Sequence, residues 1–240
     1  MTYRSAIGPG AEDMKQGVPL AIEWVTAQHR ELGGNILVLL PRMDVLDEHP
    51  LLGRFTQLAH VTAGTKRNRK GFGAQTVLPA WPTSGDFAEV SSSEWVKALC
   101  LLPWDAPKMM KPWVSAWAFS SGAEVLGEAM KDRRVPVTLD PVVRVALTDL
   151  AEIGEFGTMG RGWIKSTIKL LSEAGYGLPP ADVEAFLIAN NYPGRLAAEA
   201  RDYAERVKSG VRLRNPTVGA YPRSIVDTWR AKATEIRSVS

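Results

Sequence analysis

At 240 residues, with 45% apolar and 23% charged residues, the chain is long enough to bury one large core or two smaller ones, and its composition excludes wholesale disorder and fibrous repeats. The balance of 29 Lys and Arg against 26 Asp and Glu leaves a net charge of only +3, so bulk charge says little about partners. A single cysteine, Cys100, excludes an internal disulfide and any zinc cluster built on cysteines.

No apolar run reaches the ~18 residues needed to cross a bilayer, and the first residues lack the apolar segment of a secretory signal, so a cytoplasmic protein with no membrane contact is expected. Residues up to about 10 read as a flexible lead-in. Over residues 12–32, Met14, Val18, Ala21, Ile22, Val25 and Leu32 recur at helical spacing opposite Glu23, Gln28, Arg30 and Glu31, and Gly33-Gly34 supplies a stop. The apolar run from Ile36 to Leu40 carries no polar interruption and is too short for a free-standing helix. It reads as a strand buried on both faces, the kind found inside parallel sheets.

Residues 42–48 are a polar connection, 51–59 a short helix and 60–63 a second strand. A glycine-flanked loop over 64–73 leads to apolar runs at 76–82 and 98–104, each ending at a proline that cannot donate to a ladder. Between these two runs lies a polar stretch, and a helix is expected over 113–130. Strands and helices thus alternate, which predicts an α/β domain over residues 1–134 with a small Rossmann-like parallel sheet flanked by helices.

Beyond residue 134 helical periodicity takes over, and an all-helical C-terminal domain is expected over 135–240. Asp140 reads as a cap and Pro141 as the first residue of a helix reaching residue 153. Residues 154–162, rich in glycine, read as a loop. Helices follow at 163–174, 180–190, 194–209 and 224–236, with Ile168, Leu171, Val183, Phe186, Leu187, Leu196, Tyr203 and Val207 as their core.

Charge distribution is more informative than charge total. No acidic residue occurs from His49 to Gly85, while Lys66, Arg67, Arg69 and Lys70 crowd one glycine-flanked loop beside Phe72. Clustered cations of this kind neutralise phosphates, and an aromatic ring can stack on a base. A second window without acids, residues 206–223, carries Arg212, Arg214 and Arg223 on what reads as an extended arm. Neither Gly-x-x-x-x-Gly-Lys-Ser/Thr nor Gly-x-Gly-x-x-Gly follows a predicted strand, so nucleotide binding of those two kinds is excluded.

Three functional readings follow. The first is an accessory nucleic-acid-binding protein that uses both basic elements and needs no cofactor. The second is a metal-dependent phosphodiesterase or nucleotide hydrolase. For it, Asp44, Asp86 and Asp105, each just past a predicted strand, would hold Mg²⁺ through hard oxygen ligands at one sheet edge. Asp is also an ordinary turn residue, and His29, His49 and His60 have no metal-binding spacing. The third is a subunit of a larger assembly, meeting a protein partner through a surface built from Trp95, Trp104, Trp113 and Trp117, which otherwise serve as core.

Overall fold

A computed structural model describes residues 3–10, 14–65, 74–104, 111–127, 139–153 and 157–239. The chain divides into two compact units, Met1–Pro136 and Val137–Ser240. The first is α/β and the second helical.

In the first unit the described residues form one six-stranded sheet: β1 (Arg4–Ile7), β2 (Ile36–Leu40), β3 (Val61–Thr65), β4 (Thr76–Pro79), β5 (Ala98–Leu101) and β6 (Glu124–Val125), in spatial order β3-β2-β4-β5-β1-β6. Every pairing is parallel. All five residues of β2 are buried, as an unbroken apolar run between two covered faces requires. Alternate strand residues, among them Val38, Leu40, Leu78, Cys100 and Leu102, form one core with Val18 and Val25 of α1 (Met14–Leu32), Val45 of α2 (Val45–Glu48), and Leu52 and Phe55 of α3 (Pro50–Phe55). The intervening strand residues Leu37, Leu39, Val77, Leu99 and Leu101, equally buried, point to the opposite face.

Chain direction separates the two helical layers. The crossovers from β1 to β2 and from β2 to β3 move toward one edge of the sheet, and those from β4 to β5 and β5 to β6 move toward the other. Right-handed connections therefore place α1, α2 and α3 on one face and α4 (Ser84–Ser91) and α5 (Pro112–Ser120) on the other. In that second layer Phe87 of α4 packs on Trp113 and Trp117 of α5, with centroids 5.0 and 4.9 Å apart. The direction reverses between the neighbours β2 and β4, whose following connections leave toward opposite edges, the position at which open α/β sheets hold ligands.

Several expectations need correction. The lead-in is β1, an inner strand, and four residues are too few to register as a periodic pattern. The polar stretch after β4 is helix α4, started by Thr83, whose Oγ1 accepts the Asp86 N–H at 3.2 Å and donates to Asp86 Oδ2 at 2.7 Å. The helix expected to reach residue 130 stops at Ser120. Gly122 adopts φ +62°, the Ala123 N–H returns to the Ala118 carbonyl at 3.0 Å, and the chain turns into β6.

The second unit contains α6 (Pro141–Ile153), α7 (Gly157–Glu173), α8 (Pro180–Ala189), α9 (Gly194–Lys208) and α10 (Ile225–Val239). Asp140 Oδ1 accepts the Val142 N–H at 2.8 Å, capping α6. Of the expected core, Ile168, Leu171, Val183, Leu187 and Leu196 are fully buried, while Phe186, Tyr203 and Val207 lie half-exposed at its margin. The glycine-rich segment read as a loop is helical from Gly157 onward, and Gly162 in it makes room for the Val218 carbonyl rather than a turn.

Candidate functional site

The sequence pointed to the carboxyl edge of the sheet and to a basic arm; the two belong to different units. At the sheet edge, Lys66, Arg67, Arg69, Lys70 and Phe72 follow the carboxyl end of β3 directly and lie outside the described residues, as does Asp105. Asp44 follows β2 and is exposed, but its carboxylate is bonded to Arg42 at 3.2 Å, and Arg42 also reaches Glu48 at 3.9 Å. Asp86 is committed to the α4 cap. Among the described residues no group of three or more His, Cys, Asp or Glu is arranged to hold a metal ion.

What the fold brings together at this edge is aromatic. Trp81, immediately past β4, is 2% exposed and adopts φ +54°. A bulky side chain in the left-handed region costs about 1–3 kcal/mol and persists only where its surroundings fix it. Two contacts do so. The Trp81 N–H donates to the Leu102 carbonyl at 2.7 Å, and the indole stacks on the His49 imidazole with centroids 4.3 Å apart. Beyond it stands Trp104, 6.1 Å away and 44% exposed. Sequence reasoning grouped Trp104 with Trp95, Trp113 and Trp117, yet Trp113 and Trp117 are buried core. The pairing of His49 with Trp81 could not be foreseen, because a connection between two short helices and a strand end carry no shared pattern.

Cys100 is fully buried in the sheet, and that burial pushes its thiol well above the ordinary range, so it is inert as a nucleophile.

In the helical unit, residues 209–224 run as an extended arm between α9 and α10. Three contacts fix it. Leu213 is buried. The Val218 backbone lies directly on α7 at Gly162, where a Cβ would collide with the Val218 carbonyl oxygen. Lastly, the Tyr221 N–H donates to Ser166 Oγ at 2.9 Å, and its ring sits against Trp163 and Trp229, with centroids 4.5 and 5.5 Å away. Trp229 is held in turn by donation to Asp149 Oδ2 at 2.9 Å. Burial, reinforced by the Asp149 charge, raises the Tyr221 phenol to about 12.

This clamping brings Arg212 and Arg223, eleven positions apart, to one groove of about 470 Å³, lined also by Leu170, Glu173, Asp227 and Arg230. Both groove carboxylates have cations of their own. Glu173 accepts from Lys169 at 2.5 Å and Asp227 from Arg230 at 3.0 Å. The Lys169 hydrogen bond, with Arg223 and Arg212 adding their field, holds the Glu173 carboxyl below its ordinary value. Arg212 and Arg223 are exposed and form no ion pair with any described residue, and Arg214 on the same arm is likewise exposed and unpaired. The α9 cations nearby in sequence are engaged: Arg201 binds Glu184 at 3.1 Å, and Arg206 lies over the Tyr203 ring.

Among the described residues no helix is long and apolar enough to cross a membrane. Residues 139–230, which include the arm and its groove, match a family described as a domain of unknown function, DUF1889. No curated protein and no solved structure matches the chain.

Proposed function

We propose that the chain is an accessory nucleic-acid-binding protein that grips backbone phosphates through the arm of its helical unit. The observation that carries the reading is the pairing state of the groove. Its carboxylates each have a cation of their own, and Arg212 and Arg223 line the same groove without an ion pair to any described residue. Guanidinium groups held on a clamped backbone lose little freedom on binding and offer forked donors that match phosphate oxygens. Arg214 extends the same charge along the arm. The basic loop of Lys66, Arg67, Arg69 and Lys70, with Phe72, is the second element of the proposal, on the strength of its charge and its position after β3. The hydrolase reading is weakened by the engagement of Asp44 with Arg42 and of Asp86 with the α4 cap.

The test is binding of a labelled 20-nucleotide duplex and single strand across a potassium chloride series, with wild type and the double variant Arg212→Ala/Arg223→Ala. Each phosphate contact contributes about 0.7 to 0.9 to the slope of log affinity against log salt, so the variant should lose between one and two units of slope. Wild-type binding that is absent or flat in salt would overturn the reading.

A further inference from the structure

The arginine groove has a neighbour that phosphate contacts leave unused. Between α9 and the turn joining α7 to α8 lies a recess of about 380 Å³, lined chiefly by apolar surface from Tyr176, Leu178, Pro179, Ala204 and Val207. One pair of side chains joins the two cavities. Arg230, which lines the arginine groove, donates from Nε to Tyr176 Oη at 3.0 Å, and its guanidinium carbon lies 5.8 Å from the ring centroid. The Tyr176 ring is half-buried and lines the recess. Lys208 marks another boundary. It is exposed, forms no ion pair with a described residue, and also lines the next cavity along α9, where Glu205 is engaged by Arg201 at 3.8 Å. An apolar recess with an aromatic wall is therefore flanked by cations that have no carboxylate of their own, Arg212 and Arg223 in one groove and Lys208 in the other.

We propose, resting on the phosphate reading above, that the bound strand is single and that this recess takes one unpaired base against the Tyr176 ring. A nucleic-acid strand carries an anion at every repeat and a planar ring between successive anions, which is the order of the cations and the recess. Stacking on an aromatic side chain tolerates any base, because every base presents a π-face. A duplex hides its bases in the stack and would have to flip one out to fill the recess, a cost that an unpaired strand does not carry.

The test measures binding of the full chain to three labelled probes by polarisation: a 20-residue oligothymidine, an abasic strand of the same length, and a duplex of 20 base pairs. The abasic strand keeps every phosphate and lacks every base, so it isolates the electrostatic part. Wild type should bind oligothymidine about tenfold more tightly than the abasic strand. Tyr176→Ala should bring oligothymidine down to the abasic level and leave abasic and duplex binding unchanged. Tyr176→Phe loses the bond to Arg230 but keeps the ring, and should retain most of the preference. Oligouridine run alongside separates the sources: dependence on Tyr176 for oligothymidine marks DNA, and for oligouridine alone marks RNA, either one supporting the site. The abasic comparison needs no variant, so a misfolded Tyr176→Ala would not blunt it. Equal wild-type affinity for abasic and base-bearing strands of both kinds, or an undiminished preference in folded Tyr176→Ala, overturns the base site. Should Arg212→Ala/Arg223→Ala still weaken every strand in that case, the phosphate reading stands alone; salt-dependent binding of no strand removes both.

Discussion

The two units treat charge and backbone in opposite ways. In the α/β unit, backbone groups are satisfied by parallel neighbours drawn from distant parts of the chain, and Arg42 at the carboxyl rim is engaged by Asp44 and Glu48. In the helical unit the non-helical segment between α9 and α10 is fixed by one carbonyl against Gly162, one N–H to Ser166 and one ring between Trp163 and Trp229, while Arg212, Arg214 and Arg223 form no ion pair with a described residue. An arm whose arginines form no ion pair with a described residue suits an anion, because its backbone is already held on folding and is not ordered again on binding.

If the arm is as firmly seated as this contrast requires, the residues beneath it should be costly to remove. Trp229→Ala deletes a fully buried indole, its hydrogen bond to Asp149 and one wall of the Tyr221 pocket, and should destabilise the chain by about 3–5 kcal/mol in urea denaturation. A loss below about 1 kcal/mol would mean that the arm and α10 are not packed as described. Gly162→Ala is the sharper test because intrinsic propensity predicts the opposite sign. Alanine inside a helix gains about 1 kcal/mol over glycine. Here, however, the added Cβ strikes the Val218 carbonyl, so a net loss of about 1–3 kcal/mol is expected, together with weaker salt-dependent nucleic-acid binding as the arm is displaced. A stabilised Gly162→Ala variant would show the arm lifted off α7 and would remove the reason for Arg212 and Arg223 to share a groove.

The same contrast explains what could be read in the residues beforehand. The fold class was legible because Ile36 to Leu40 is an unbroken apolar run and because amphipathic periodicity marks α6, α9 and α10. Elements were missed where tertiary context overrides local composition. β1 is too short to show a period. The start of α7 was read as a loop because Gly157, Gly160 and Gly162 resemble turn residues, although Gly162 is small to admit the arm. In α4 the run of serines concealed the Thr83 cap and the buried Phe87. Of the candidate site, Arg212 and Arg223 were visible as charge in a window without acids, but their convergence was not, since it depends on Tyr221 and Ser166, 55 positions apart. The Trp81 rim left no trace in the sequence, because a positive φ at tryptophan is held by His49, between α2 and α3, and by the Leu102 carbonyl, just past β5, rather than by local preference.

The smallest expected effect isolates the arm's anchor by pH. Tyr221 Oη is buried with no hydrogen-bond partner among the described residues, and its phenol is raised from 10.0 to about 12. Between those values the unfolded chain releases this proton while the folded chain keeps it. Native Tyr221 therefore binds more protons, and its contribution, present in full below pH 10, is lost as pH rises through that window. Because the ring is only half-buried, solvent screening limits the loss to about 1 kcal/mol. Tyr221→Phe keeps the ring and the backbone bond to Ser166 while removing both the proton and the unpaired hydroxyl, so at pH 7 it should be as stable as wild type or slightly more so. Denaturant midpoints at pH 9 and pH 11 should fall less for Tyr221→Phe than for wild type. The absorbance at 295 nm should correspondingly lack one late-titrating phenol in the variant. Equal alkaline losses in the two proteins would place Tyr221 in solvent and leave the arm without its central contact.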